Sequence, residues 1–147
     1  MERSDKLSEL VQTVRILNWE VRPKITSASA RELEGSTLHK ALTEIRNNEI
    51  QVSQLIRGIS LSEEGEATED AGDVLEHVEA STIGSRQLLS EFGTARESIL
   101  SILRNISDEE WNETHETYEG TWSYEEIVDR LIESDRKNLG LIESVNV

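Results

Sequence analysis

The sequence predicts an all-α fold, a four-helix bundle formed by one domain over residues 1–147. Four segments carry apolar residues at the three- and four-residue spacing of an amphipathic helix. The chain contains a single proline, Pro23, so few positions would break a helix. Serine followed three residues later by glutamate, the pattern of a capping box, marks several of the predicted helix starts.

The first predicted helix is capped by Ser4 and ends before Pro23, because the residue ahead of a proline is biased away from the helical conformation. Trp19 lies near its end and is a candidate for a dimer surface. A weaker capping signal, Ser29 to Glu32, follows in the connection. The apolar face of this helix consists of Leu7, Leu10, Val11, Val14 and Leu17.

The second predicted helix begins at the segment Gly35-Ser36-Thr37, with Thr37 as the candidate cap. Three polar residues, Glu44, Asn48 and Glu49, lie beside or within its apolar stripe, so a polar patch is expected in an otherwise apolar seam. The stripe consists of Leu38, Ala41, Leu42, Ile45, Val52, Leu55, Ile56 and Ile59.

Residues 60–73 are predicted to form a long, mobile acidic loop between the second and third main helices. The segment is rich in glutamate and nearly devoid of large apolar groups, so little burial would offset the entropy of ordering it. A connection of this length is expected where the helix ends lie far apart.

The third predicted helix runs from Ser81 or Thr82 to Ile106. A capping box at Ser107 and Glu110 then starts a short turn that carries Trp111. The apolar stripe of the helix consists of Leu88, Leu89, Phe92, Ala95, Ile99, Ile102, Leu103 and Ile106.

The fourth predicted helix follows a polar loop and begins at a second capping box, Ser123 with Glu126. Ser134 and Asn138 interrupt its stripe one turn apart on the same face. A bundle would place metal ligands at such a pair, but these two side chains are poor ligands for a transition metal. The stripe consists of Ile127, Val128, Leu131, Ile132, Leu139, Ile142 and Val145.

The composition excludes several classes of function. The formal net charge of −15 argues against nucleic-acid and anionic-membrane partners. The absence of cysteine excludes disulfides, thiolate metal sites and a cysteine nucleophile. No apolar run approaches the roughly 18 residues of a transmembrane helix, and no signal-like N-terminus is seen, so a cytoplasmic protein is expected.

Four segments resemble the DinB/YfiT-like proteins. They are the acidic turn that ends in Trp111, the segment from Gly120 to Ser123, the stretch Ile132–Leu139, and the second-helix stretch Leu42–Glu49. In that family the acidic turn is followed by a helix reading His-Asp-x-x-x-His or His-Asp-x-x-His.

The resemblance implies a bundle with a three-histidine divalent metal site in its interior, in proteins that are commonly dimers. The second form of the motif aligns Ser134 and Asn138 with two of the histidines and retains Asp135. Glu44 takes the place of the third histidine, and Glu49 is kept. Characterised members include thiol-dependent S-transferases and a maleylpyruvate isomerase. This chain departs at all three metal positions, so no metal or other cofactor is expected.

Two interpretations of the polar residues remain open at this stage. Glu44, Glu49 and Asp135 could hold a hard cation such as Mg²⁺ or Ca²⁺ through their oxygens. The favoured alternative is a hydrogen-bonded cluster of these acids with Asn48, Ser134 and Asn138, in which the acids are tied to Arg46 or Arg136. A third possibility leaves Glu44 exposed.

The histidines and aromatic residues have plainer interpretations. No two of His39, His77 and His115 are spaced as a helical metal pair, so solvated or capping roles are expected. Trp111 and Trp122 could line a pocket mouth, but a structural clamp at the end of the bundle is favoured.

The sequence therefore predicts a metal-free, DinB-like bundle that acts as a non-catalytic binding or interaction protein and forms a homodimer. The alternative is a thiol-dependent S-transferase or maleylpyruvate-isomerase-like enzyme that uses a non-standard site around Glu44 and Asp135.

Overall fold

The computed structural model describes residues 2–27, 36–63, 84–117 and 119–144. This part of the chain is mostly helical, which confirms the all-α prediction, and one two-stranded hairpin is added to it. The elements are α1 (Arg3–Ile16), a π-helical turn (Leu17–Val21), α2 (Arg22–Ser27), α3 (Thr37–Glu63), α4 (Ser85–Asn105), α5 (Asp108–Asn112), β1 (Thr114–Thr117), β2 (Gly120–Ser123) and α6 (Tyr124–Glu143).

Both predicted capping boxes at α5 and α6 are confirmed. The Ser107 hydroxyl accepts the backbone N–H of Glu110 at 3.2 Å, and the Ser123 hydroxyl accepts that of Glu126 at 3.1 Å. In each box the glutamate side chain accepts the serine backbone N–H in return. The acidic first turns of these helices also complement the positive end of the helix dipole.

The predicted caps of the first two helices are wrong by one or two residues. The residue before α1 is Glu2, which makes no side-chain cap, and Ser4 lies inside the helix. At α3 the hydroxyl of Ser36 accepts the backbone N–H of His39 at 3.0 Å, so Ser36 caps the helix and Thr37 is its first residue.

The sequence predicted that the first helix ends before Pro23, and this prediction is wrong because the chain stays helical through Ser27. A π-helical turn separates α1 from α2, and Pro23 is the second residue of α2. In a regular α-helix the ring would clash with the carbonyl four residues earlier, that of Trp19. The wider π turn relieves that contact, so the chain stays helical through the proline.

The two middle helices have boundaries that differ from the prediction. The helix α3 extends through Glu63, so residues 60–63 of the predicted loop are helical. Several parts of the prediction lie outside the described residues. They are the rest of that loop, the capping signal at residues 29–32, His77, and the predicted start of the third helix at Ser81 or Thr82.

A short hairpin replaces the polar loop that was predicted before the last helix. The strands β1 and β2 pair antiparallel, with Thr114 opposite Ser123 and Thr117 opposite Gly120. Gly120 has φ +113°, a conformation that favours glycine, and it therefore opens β2 without backbone strain. The hairpin ends at the cap of α6, so it fixes where that helix begins.

The long helices α1, α3, α4 and α6 enclose two apolar clusters. The cluster on the hairpin side consists of Leu10, Val52, Ile56, Ile59, Ile99, Leu100, Leu103, Trp111, Tyr124, Ile127, Val128, Leu131 and Ile132. The cluster on the Pro23 side consists of Leu17, Val21, Ile25, Leu38, Ala41, Leu42, Ile45, Leu88, Leu89, Phe92 and Ile142.

A polar layer lies between the two apolar clusters. It consists of Thr13 of α1, Glu49 of α3, Arg96 of α4 and Asp135 of α6, all of them buried. On each helix the polar residue lies between a residue of one cluster and a residue of the other. The layer is therefore a cross-section through the middle of the helix assembly.

No helix in the described ranges combines the length and the apolar character that crossing a membrane requires.

Candidate functional site

Arg96 is the centre of the polar layer. Its Nε and Nη2 atoms donate to the two oxygens of Glu49 at 2.5 and 2.7 Å. Its Nη1 and Nη2 atoms donate to the two oxygens of Asp135 at 3.0 and 2.9 Å. Nη1 also donates to the backbone carbonyl of Leu10 at 2.9 Å. The planar guanidinium thus binds both carboxylates in the paired geometry that suits arginine.

Two further contacts hold the group in place. The Thr13 hydroxyl donates to Oδ2 of Asp135 at 2.9 Å, so α1 is tied into the layer. The ring of Phe92, one turn before Arg96 on α4, lies 4.8 Å from the guanidinium carbon and supplies a cation–π contact. Every one of the four helices is therefore connected to the same guanidinium, directly or through Thr13.

The electrostatics of the layer are unbalanced when both acids are ionised, because one cation then faces two anions. Burial raises the pKa of the Glu49 carboxyl, the guanidinium of Arg96 opposes that rise, and the charge of Asp135 adds to it. Burial lowers the pKa of Arg96, yet the two carboxylates raise it above its ordinary value, so this side chain stays charged. The layer therefore has a stronger tendency to take up a proton at Glu49 than an exposed glutamate has.

Of the three positions that the family resemblance assigned to metal ligands, Ser134 and Asn138 are hydrogen-bonded to each other, and Glu44 is paired with Lys137. Glu44 is exposed and accepts a hydrogen bond from the Lys137 ammonium at 2.8 Å. Asn138 is fully buried, and its Nδ2 atom donates to the carbonyl and the hydroxyl oxygen of Ser134 at 3.0 and 3.3 Å. Of the three possibilities considered for Glu44, the exposed one is observed.

These residues do not fit a transition metal. The side chains of Ser134 and Asn138 are hydrogen-bonded to each other and offer only neutral oxygens, while both retained acids, Glu49 and Asp135, face a guanidinium. Within the described residues no group of three or more His, Asp or Glu side chains is placed to hold a metal ion. In the Ser134–Asn138 pair, Oδ1 of Asn138 is buried without a hydrogen-bond partner.

The predicted partners of the acids are wrong. Arg46 pairs with Glu91 on α4 at 3.2 Å, and Arg136 pairs with Glu9 on α1 at 2.6 Å. The cation that binds Glu49 and Asp135 is Arg96, which the sequence reasoning passed over. A signal was present, because Phe92, Arg96, Ile99 and Leu103 follow one another at helical spacing, so Arg96 occupies a position on the apolar stripe.

The remaining candidate residues lie away from the polar layer. Asn48 is half-buried on α3. Trp111 of α5 is buried beside the first turn of α6, where its indole N–H donates to Glu125 at 3.0 Å and Arg3 covers its ring. Trp122 is half-buried beneath Arg130. Both tryptophans thus pack against residues at this end of the helix assembly, and the structural clamping role stays a prediction.

Two histidines have environments that differ from the solvated or capping ones that were expected. His39 is buried, and its Nδ1 atom lies 3.0 Å from the hydroxyl of Ser85 at the start of α4. His115 lies in β1, not in a loop, and its ring meets that of Tyr124 edge to face. Neither side chain contributes to the polar layer.

Comparisons with known proteins identify no relative. No family model matches the chain, and neither curated proteins nor solved structures give a match.

Proposed function

We propose that this protein is a non-catalytic binding or interaction protein that works without a metal cofactor. The observation that supports this most directly is that all four carboxylate oxygens of Glu49 and Asp135 accept hydrogen bonds from Arg96. A general base needs a lone pair that a substrate can reach. These acids are 0% and 1% exposed and their oxygens are already bonded.

We also propose a DinB/YfiT-like four-helix bundle as the architecture. The support is that α1, α3, α4 and α6 pack around one central layer, and that the two acids retained in the resemblance, Glu49 and Asp135, both face its middle. In this proposal the guanidinium of Arg96 supplies, from within the chain, the positive charge that a divalent ion supplies in the family.

The alternative, a thiol-dependent transferase or isomerase, would require a different arrangement. Asp135 would have to release both Arg96 and Thr13 to act on a substrate, and Glu44 would have to leave Lys137 and turn inward. No contact among the described residues favours this. The absence of nucleic-acid and membrane partners stays a prediction from the net charge of −15. A cytoplasmic location stays a prediction from the sequence's lack of a long apolar run and of a signal-like N-terminus.

The Arg96 Nε–H group offers a direct test, because a buried, doubly paired guanidinium exchanges its protons slowly and gives an NMR signal of its own. The Arg96→Lys variant identifies that signal by removing it. We expect Zn²⁺, Ni²⁺ and a low-molecular-weight thiol, each added to the full chain, to leave the signal and the melting temperature unchanged. A shift of the signal, or a metal-dependent rise in melting temperature, would contradict the proposal.

The architecture has a separate test. In a DinB-like bundle the triple change Glu44→His, Ser134→His, Asn138→His would assemble three imidazoles and create Zn²⁺-dependent stabilisation. The matched control is the double change Ser134→His, Asn138→His, which leaves the Glu44–Lys137 ion pair in place. A triple variant that folds but gains no more from Zn²⁺ than the double variant would argue against the family architecture and leave the closed polar layer unaffected.

A further inference from the structure

The helices α3 and α4 run parallel to each other, so their N-termini lie at the same end of the helix assembly. Two contacts establish the direction. His39, near the start of α3, meets Ser85 at the start of α4, and Glu49, further along α3, binds Arg96, further along α4. Two adjacent N-termini bring two sets of backbone N–H groups without intrahelical partners, and two positive helix ends, to one place.

The N-terminus of α4 has no side-chain cap. Gly84 occupies the N-cap position in the extended conformation usual there, with φ −76° and ψ 160°, but it has no side chain that could accept a hydrogen bond. Among the described residues, no group accepts the backbone N–H of Ser85, Arg86 or Gln87. Gly84, Arg86 and Gln87 are exposed, so this turn is open to solvent.

The charged side chains of these two first turns are cations. Neither α3 nor α4 carries an acidic residue in its first turn, whereas α5 and α6 both do. Lys40 in the first turn of α3 and Arg86 in the first turn of α4 are exposed, and neither forms an ion pair with another described residue. The two adjacent N-termini therefore combine positive helix ends with available cationic side chains.

A buried histidine between the two N-termini provides an independent observation. His39 is 3% exposed, and because the Cβ atom of a helical residue leans towards the N-terminus of its helix, the ring points to the end of α3 where α4 begins. Its Nδ1 atom lies 3.0 Å from the hydroxyl of Ser85, while its Nε2 atom is buried and has no hydrogen-bond partner. Buried polar atoms nearly always have a partner, so this nitrogen is available to a ligand.

We propose that the adjacent N-termini of α3 and α4 bind an oxyanion of the phosphate class. The backbone N–H groups in the first turn of α4 would donate to its oxygens, as helix N-termini do in phosphate sites. Lys40 and Arg86 would supply positive charge. When the Ser85 hydroxyl donates to Nδ1 of His39, the neutral ring carries its hydrogen on Nε2, which becomes a further donor. The inference rests on the proposed binding function and gives it a ligand class.

The first experiment is a titration of the full chain with inorganic phosphate at constant ionic strength, with chloride as the reference salt. In amide NMR spectra we expect the signals of Ser85, Arg86 and Gln87 to shift. The melting temperature should rise with phosphate concentration, because the unfolded chain lacks the assembled site. Glycerol phosphate, run in parallel, shows whether a phosphate ester binds more tightly than the free ion. Shifts and stabilisation no larger than those caused by chloride would overturn the site.

The second experiment places a competing carboxylate at the N-terminus of α4. A Cβ atom added to Gly84 would meet no other atom within 4 Å, so Gly84→Asp should fold. Its side chain would accept the backbone N–H groups of the first turn, raise the melting temperature, and weaken phosphate binding by roughly tenfold. Gly58→Asp, at an equally open position towards the other end of α3, adds the same charge and should leave phosphate binding unchanged. Unchanged binding in Gly84→Asp, or an equal loss in Gly58→Asp, would overturn the proposal.

The third experiment tests the side chains. Lys40→Ala and Arg86→Ala should each lower the phosphate affinity several-fold, whereas Arg104→Ala, an exposed change in the last turn of α4, should not. Equal affinities in all three variants would overturn the role of the two cations. His39→Phe keeps a buried ring without its nitrogens and should also lower the affinity. Unchanged affinity in a folded His39→Phe variant would exclude the histidine from the site.

The NMR signal of the Arg96 Nε–H group separates this proposal from the proposed function. The signal should be unchanged by phosphate, and its presence in each variant shows that the polar layer has formed. A failure of phosphate to bind would leave that signal as it is, and so would not count against the non-catalytic proposal.

Discussion

Two ion pairs of almost equal length join α6 to its neighbours. Arg96 binds Asp135 at 2.9 Å, and Lys137 binds Glu44 at 2.8 Å. The side chains of the first pair are 0% and 2% exposed, whereas those of the second are 63% and 48% exposed. Water and salt screen the exposed pair and can replace each partner. In the buried pair neither partner can be replaced, so the removal of one leaves the other as an uncompensated charge.

The comparison shows that the distance between two charged groups does not measure their importance. The buried pair belongs to a layer that contacts all four long helices, so a shift of any one helix along its axis would break hydrogen bonds of the layer. The exposed pair constrains only two neighbouring turns. We therefore expect the polar layer to select one packing arrangement, while the surface pair contributes little to that selection.

The largest expected effect is that of Arg96→Met. The substitution removes the cation, keeps a long apolar side chain against Phe92, and leaves the carboxylates of Glu49 and Asp135 facing each other in the interior. Breaking a buried pair in this way typically costs about 3–5 kcal/mol. Urea denaturation followed by circular dichroism should show this loss. A loss as small as that of a surface substitution would mean that water enters the layer.

The control for this variant removes all three charges together, with Arg96→Met, Glu49→Leu and Asp135→Leu in one chain. No buried charge is then left unpaired, and we expect most of the lost stability to return, because apolar replacements of buried ion groups are often neutral or stabilising. If the layer selects the helix alignment, this variant should be stable but should show broader amide signals in its NMR spectrum than the parent.

A smaller effect, a loss of about 1–3 kcal/mol of stability, is expected for Glu49→Gln, because the amide nitrogen would face a guanidinium N–H in place of an accepting oxygen.

The Glu49→Gln variant also isolates a pH dependence of the stability. Since the pKa of Glu49 is raised in the folded protein, the folded state binds its proton more tightly than the unfolded chain does. The contribution of Glu49 to stability therefore falls as the pH rises from its ordinary pKa, about 4.3, towards the folded value.

The measurement is the free energy of unfolding of the parent and of Glu49→Gln over the same pH series. The difference between them contains the titration of Glu49 and little else, so the advantage of the parent should shrink as the pH rises through that window. An advantage that grows with pH would mean that the paired oxygens of Glu49 hold its pKa below the ordinary value.

Much of the fold could be predicted from the sequence because it depends on local signals. The apolar spacing and the capping boxes of α5 and α6 are properties of a few consecutive residues, and they specify helices wherever the chain is placed. The π-helical turn at Pro23 was missed because its outcome depends on packing: Leu17 and Val21 are both buried, and continuing the helix keeps them so.

The site could be predicted only in part, for a different physical reason. Glu49 and Asp135 were identified as interior acids, but their cation, Arg96, comes from a helix distant in sequence. The spacing along α4 places Arg96 on the buried face, but which acids it meets there depends on how α4 packs against α3 and α6, and single-helix spacing does not contain that information. The family resemblance predicted that Glu44 points into the bundle. A shift of one residue along a helix turns a side chain by about 100°, so an alignment that is off by one residue can place an exposed side chain at an interior position.

The smallest expected effect completes the comparison and concerns the pair Glu44 and Lys137. Glu44→Ala, Lys137→Ala and the double variant form a thermodynamic cycle that isolates their interaction. Because both side chains are largely in water, we expect no change in melting temperature beyond the reproducibility of the measurement, and no coupling between the two substitutions. The same cycle built from Arg96→Met and Asp135→Asn should show strong coupling, since the two groups share hydrogen bonds in a dry interior. Equal coupling in the two cycles would mean that burial does not distinguish the pairs.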